Sequence, residues 1–357
     1  MKTAFFQSFE DSSDREETPF RLSMVQAELK KNSLSGYLVP RSDVHQGEYV
    51  AACDERLSWL TGFTGSAGIC VVGKDRAGIF VDGRYSIQAR KQTLSPFEVI
   101  QWDKKNFFHW IEKNIVKGKI GFDPWLHSHK EIFSLGEEFA NSGISFAPYD
   151  NLIEKVWMTR PAKTSNKIMK YPDDLAGLSA REKCQKIAEN IRVKKANSAV
   201  ITLPDSIAWL LNLRGNDVIH NPILHAFLII DSEGCVKIFS RNESLLHCIS
   251  DLKDFVEVYP VENFETTLSE LTGSVIMDET TAPFAAVKIL QANGSEPIMG
   301  EDPIILPKAC KNPVELRHAR ICHKRDAVHM CEFLSWLDKQ NENEFDEIDV
   351  VIELENF

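Results

Sequence analysis

The residues of this chain best placed to do chemistry are few and scattered. Arg84 stands in Val81-Asp82-Gly83-Arg84-Tyr85, where a β-branched run ends on an Asp-Gly turn. A guanidinium there is either a fork to a carboxylate or a group held out to a ligand carbonyl or carboxylate. Ser66, in Gly65-Ser66-Ala67-Gly68, lacks both the Gly-x-Ser-x-Gly pattern and the strand-to-helix elbow of an activated nucleophile. Gly62, Gly65 and Gly68 recur without the Gly-x-Gly-x-x-Gly spacing or the lysine of a phosphate cradle, so tight packing is the expectation for them. His127 and His129 flank one serine; His318 and Cys322 sit four apart on a predicted helix with His323 and His329. No second ligand pair accompanies either group, so surface or capping roles are expected. His220-Asn221-Pro222 is expected to form a turn.

The elements that must position Arg84 are written into the stretch Arg56 to Tyr85, which holds six of the eighteen glycines. Gly-Ile-Cys-Val-Val and Ala-Gly-Ile-Phe-Val read as a hairpin closed by Gly73-Lys74-Asp75-Arg76. Upstream, residues 1 to about 18 are polar and acidic and read as a loosely held arm. A helix over Pro19 to Lys31 is predicted, with Phe20, Met24, Ala27 and Leu29 apolar, then a strand from Leu34 to Pro40. Strand and helix signals keep alternating as far as Tyr149, which predicts an α/β layer fold with a largely mixed sheet.

Arg160 to Asp174, polar and punctuated by proline, reads as a linker. The pattern then restarts. A helix (Ser179 to Lys195), a strand (Ser198 to Leu203), a short acid-opened helix and a hairpin (Ala226 to Arg241) follow in the earlier order. Trp59-Leu60 and Trp209-Leu210 are offset by 150 residues, and Asp54 and Asp205 by 151, so a duplicated domain is predicted. Asn312-Pro313 opens a long amphipathic helix, and Asn343 to Phe357 reads as a second, acid-capped one.

The chain has 357 residues, 43% of them hydrophobic, which is enough for two or three domains. A net charge of −11 argues against a nucleic-acid or anionic-membrane surface. No apolar run is long enough for a membrane span and the first residues do not read as a secretory signal, so a cytoplasmic location is expected. Eight cysteines without a Cys-x-x-Cys pair, most of them in apolar runs, read as small core residues of a reducing compartment.

Thr61 to Gly68 (TGFTGSAG) followed by VDGRY resembles the N-terminal domain of Xaa-Pro aminopeptidases of the creatinase and prolidase superfamily. Leu38 to Val50 (LVPRSDVHQGEYV), Ile207 to Pro222 (IAWLLNLRGNDVIHNP) and Lys311 to Leu337 resemble the long, multi-domain form. The resemblance implies two tandem creatinase-N-terminal-like α/β domains with mixed sheets flanked by helices, spanning 1–160 and 161–309. Residues 310–357 would then be the opening helices of an incomplete catalytic pita-bread domain. It further implies a metallopeptidase that removes the N-terminal residue from peptides with proline in second place. Two manganese ions activate a bridging water and polarise the scissile carbonyl, held by two Asp, one His and two Glu of the catalytic domain.

No residue of this chain aligns with those ligands, so no catalytic or metal residue is expected in it, and no metal on the chain alone. Arg84 matches the arginine that reaches from one subunit toward the substrate site of its dimer partner. The expectation is therefore an N-terminal substrate-access and dimerisation part, homodimeric, binding proline-containing peptides and inactive by itself. Its catalytic domain is either lost to truncation or supplied by a separately encoded chain. The competing expectation is a non-catalytic dimerisation or peptide-binding module.

Overall fold

In the computed structural model, residues 4–163, 166–341 and 345–357 are described, and they form two units. The larger comprises residues 13–171 and 178–309. It holds β1 (Gly36–Pro40), β2 (Gly68–Gly73), β3 (Ala77–Val81), β4 (Phe97–Gln101), β5 (Gly118–Phe122) and β6 (Ile144–Pro148) in one sheet. After β7 (Met169–Lys170) come β8 (Ser198–Ile201), β9 (Leu213–Arg214), β10 (Ala226–Asp231), β11 (Val236–Ser240), β12 (Val256–Pro260), β13 (Ser274–Met277) and β14 (Glu296–Met299).

The first sheet runs β4-β3-β2-β1-β5-β6 and the second β12-β11-β10-β8-β13-β14. Each contains two antiparallel pairings, β1/β2/β3 and β8/β10/β11, and parallel pairings elsewhere. The second sheet therefore repeats the first strand for strand. The predicted hairpin pairs Gly68 with Val81 and Val72 with Ala77, and its counterpart pairs Ala226 with Ser240 and Ile230 with Val236. Helices cover both faces of each sheet, so the central strands carry near-continuous apolar runs rather than alternation. Side chains repeat as well. Arg21 donates to the Trp59 carbonyl at 2.8 Å and lies over its ring; Lys183 does both to Trp209, at 2.9 Å. The Asp54 and Asp205 match does not extend to environment: Asp54 is held by Arg56 and Arg160, whereas Asp205 pairs with Lys308 near the surface.

Helix Thr18–Lys31 buries Leu22, Val25 and Leu29 at helical spacing, while Phe20 is 62% exposed. The core stripe thus lies one face round from the one the sequence suggests. The predicted linker is partly ordered into the sheetlet β7/β9, with Met169 opposite Arg214, and its Thr164 and Ser165 lie outside the described residues. The N-terminal arm is tied down beyond residues 1–3, which lie outside the described set: Ser13 donates to the Gly62 carbonyl at 2.6 Å and Arg15 to that of Lys91 at 2.6 Å. Only Cys53, Cys70 and Cys184 are buried, and Cys235, Cys310, Cys322 and Cys331 are exposed, so the core assignment fails for half of the thiols.

The two sheets are joined by a main-chain seam. Ala285 N–H donates to the Pro124 carbonyl, Phe284 N–H to His127, His129 N–H to Ala282 and Lys130 N–H to Glu279, at 2.8 to 3.1 Å. Phe284 packs edge-on against Phe122 beside it. Such bonds satisfy loop groups that would otherwise be buried unpaired, so they hold the sheets at one separation.

The smaller unit comprises residues up to 12, 172–177 and 310–357. Asn312 caps helix Pro313–Leu337 in a capping box with Glu315, and its amide donates to the Ala176 carbonyl at 2.8 Å. Asp346 caps helix Glu347–Asn356 in the same way; Asn343 and Glu344, where the second helix was expected to begin, lie outside the described residues. The Phe5 and Phe6 amides donate to the Glu355 carboxylate. Among the described residues no helix is long and apolar enough to cross a membrane.

Candidate functional site

At the end of β3, Asp82 caps a single turn, Gly83–Tyr85, by accepting the Arg84 N–H at 2.9 Å. The Arg84 guanidinium returns onto the same carboxylate, with Nη2 2.6 Å and Nε 3.0 Å from Oδ2. Its Nη1 has no partner among the described residues, and the side chain stays 68% exposed. The hydrogen bond from Arg84 holds the Asp82 carboxyl below the usual carboxylate range. Arg84 is thus both forked and outward-facing: Asp82 aims the plane, and one edge is left for a second acceptor.

The glycines nearby are packing residues. A Cβ on Gly65 would sit 2.2 Å from Phe63 Cζ, and Gly62 closes a helix at φ +80°. Ser66 Oγ lies 2.8 Å from the Tyr85 hydroxyl, a positioning contact without a base. His220 adopts φ +63° in a turn closed by Asn221 N–H on the Val218 carbonyl, as expected. His127 is fully buried against Phe122, and His129 stacks on Phe284. Among the described residues no three His, Cys, Asp or Glu side chains are grouped to hold a metal ion.

A second place with chemical character lies between the two sheets, where a cavity of about 530 Å³ opens beside the seam. After β1, Asp43 Oδ1 accepts the N–H groups of His45 (2.9 Å) and Gly47 (3.1 Å), a turn that sends His45 across to the second sheet. There His45 Nδ1 meets the Thr202 carbonyl at 3.1 Å, and the ring stacks on His225 at 4.9 Å and leans on Phe227 at 4.6 Å. Because a carbonyl only accepts, Nδ1 carries the proton and Nε2 the lone pair. Burial pushes the His45 pKa down to about 4 despite the opposing pull of Asp43, so the ring is neutral at physiological pH. His225 Nε2 lies 3.5 Å from Asp43 Oδ2.

Phe227 and Phe264 stack at 4.3 Å on the second sheet, and Trp125 closes over them at 6.0 and 6.2 Å. Asp217, buried, accepts the His225 N–H at 2.8 Å and that of Asn166 at 3.1 Å. Ser240 and Arg241 at the end of β11 complete the wall, with Arg241 paired to Glu262 at 2.6 Å. The arrangement can bind; the one thiol of its lining, Cys53, donates to Asp54 Oδ2 at 3.5 Å, and burial together with that carboxylate pushes its pKa up, away from the reactive thiolate.

Sequence reasoning singled out Arg84 and did not reach this cleft. Asp43 and His45 stand in the Leu38 to Val50 motif, and Asp217 in Ile207 to Pro222, so the residues were in view. What was lacking was the seam that brings residues so far apart in the chain together.

Two tandem six-stranded mixed sheets with this strand order define a class, and the comparisons agree. Profiles of the Creatinase/Prolidase N-terminal domain match residues 21–158 and 159–315. The chain belongs to the creatinase/prolidase family. It is similar to a probable Xaa-Pro aminopeptidase P of Talaromyces stipitatus, 32% identical over 361 residues, covering 95% of this chain and 54% of that protein. A probable Xaa-Pro aminopeptidase P of Coccidioides posadasii is 34% identical over 340 residues, covering 91% and 52%. Among solved structures, X-prolyl aminopeptidase from Caenorhabditis elegans, described as a cytosolic enzyme with a di-nuclear active site, superposes with a TM-score of 0.84. It shares 25% identity over 94% of this chain and 59% of that one. The chain spans about half the length of the curated relatives it matches.

Proposed function

We propose that this chain forms the N-terminal, substrate-access and dimerisation part of a cytoplasmic Xaa-Pro aminopeptidase, which removes the first residue of peptides with proline in second place. The observation that carries this reading is the superposition of both sheets, in order, on the Caenorhabditis elegans enzyme at a TM-score of 0.84 over 94% of the chain. Arg84 is the substrate-facing residue in this reading: Asp82 fixes its plane, and the open edge donates to a peptide carbonyl or carboxylate across a homodimer.

The two manganese ions of the complete enzyme do not fit the residues described, because no suitable donor set is grouped among them. They are assigned to a catalytic domain, on the same polypeptide or a separate one. Helix Pro313–Leu337 supports a further domain: it buries only Phe333 and leaves Leu316, Ile321, Val328 and Leu334 exposed, a face that calls for cover.

The test is hydrolysis of an Xaa-Pro peptide, with manganese content, for the chain alone and together with a catalytic domain. The chain alone is expected to be inactive and the combination active. An inactive, metal-free combination, or an active chain by itself, overturns the assignment.

A further inference from the structure

We propose that the cleft between the two sheets is a binding site for an organic cation, a primary ammonium carried on an apolar body. The volume of about 530 Å³ suits a small ligand or one terminal residue of a larger one. Phe227 and Phe264, stacked on each other, add an apolar wall for the ligand's body, while half-buried Trp125 is the ring that attracts a cation through its quadrupole.

The wall contains a built acceptor. His45 is 4% exposed, its Nδ1 is committed to Thr202, and Nε2 has no hydrogen-bond partner among the described residues. A lone pair of that kind on a residue that lines the cavity is an acceptor for an N–H donor entering it. Charge selects the same ligand. Asp54 is matched by Arg56 and Arg160, and Glu262 by Arg241. Asp217 and Glu265 have no Lys or Arg partner in an ion pair among the described residues, and Lys163 is the remaining cation of the lining. Two such carboxylates against one remaining ammonium leave the cleft with an excess of negative charge beside apolar walls, where low dielectric strengthens the pull on a cation. The seam fixes the spacing in advance, so the site does not have to assemble on binding.

The experiment is calorimetric titration of the full chain with phenethylamine and with its neutral counterpart, 2-phenylethanol. Phenethylamine is expected to bind at least about tenfold more tightly, the advantage of a cation over a neutral isostere in such a site. Glu265→Gln, at an exposed position, weakens phenethylamine binding about threefold or more. Arg241→Gln releases Glu262 and tightens it, which mere damage to the cleft would not do. A tripeptide amide beginning with phenylalanine separates the sources of the ammonium. Tighter binding than phenethylamine identifies a peptide amino terminus; weaker binding identifies a free amine. Equal affinity for the amine and the alcohol, no binding of either at about 10 mM, or indifference to both substitutions overturns the site.

Discussion

Asp302→Asn is expected to stabilise the protein at neutral pH and leave it unchanged in acid. Asp302 is 5% exposed before helix Ile305–Ala309; Oδ1 accepts the Ile304 N–H at 2.8 Å. Burial raises its pKa from 3.8 to about 6, against the Ile304 hydrogen bond, the Ser206 hydroxyl and Lys308, with Asp278 adding to the rise. Ser206 stands close enough to temper the carboxylate, yet neither Ser206 Oγ nor Asp302 Oδ2 completes a hydrogen bond among the described residues. Between 3.8 and about 6 the folded state binds more protons than the unfolded chain, so stability falls as pH rises through that window. Two units at about 1.4 kcal/mol each give a penalty of about 3 kcal/mol once the pH is above the window. Asparagine cannot ionise, keeps an acceptor for Ile304, and offers an N–H to Ser206. Urea unfolding should place the variant about 1 to 3 kcal/mol above the parent at neutral pH, with the two converging near pH 4. A difference of the same size at both pH values, or a less stable variant at neutral pH, refutes the reasoning.

Arg56 is 2% exposed and bridges Asp54 (2.8 Å) and Glu154 (2.6 Å), so Arg56→Met leaves both carboxylates to Arg160 alone and should cost about 1.5 to 3 kcal/mol in urea unfolding, less than a fully stranded charge. Burial alone would raise the Asp54 pKa; Arg56, Lys163 and Arg160 outweigh it and hold the group low, so its stabilising share disappears as pH falls below the ordinary carboxylate range. The Arg56→Met variant should therefore show a shallower acid limb in the same titration. Gly65→Ala drives a methyl into Phe63 and should lower the urea midpoint by the equivalent of about 1 to 3 kcal/mol. Arg84→Ala should leave the urea midpoint unmoved while raising KM for an Xaa-Pro peptide in the complete enzyme; unchanged kinetics would remove Arg84 from the substrate path.

What could be read in advance was local. The hairpin around Arg84, the restart after Asp174 and the capped helix at Pro313 rest on turn residues, apolar runs and Pro placement, which act over a few positions. The stripe of helix Thr18–Lys31 was misjudged because Phe20 looks like core, yet its face meets solvent and Val25 takes the buried place. The exposed cysteines went wrong for the same reason: Cys322 and Cys331 sit among apolar residues on a helix whose face is uncovered. The cleft could not be seen at all. Its residues come from Val44 to Thr266, and only the pairing of Pro124 to Lys130 with Glu279 to Ala285 makes them neighbours.

Peptide groups are common to every residue, so a joint built from four of their hydrogen bonds is blind to most substitutions on either side of it. Drift can accumulate while the docking angle is inherited, consistent with a relative that keeps only 25% of these residues and still superposes across nearly the whole chain. Descendants of one duplicated ancestor can thus change what occupies the gap between the copies without rebuilding either one.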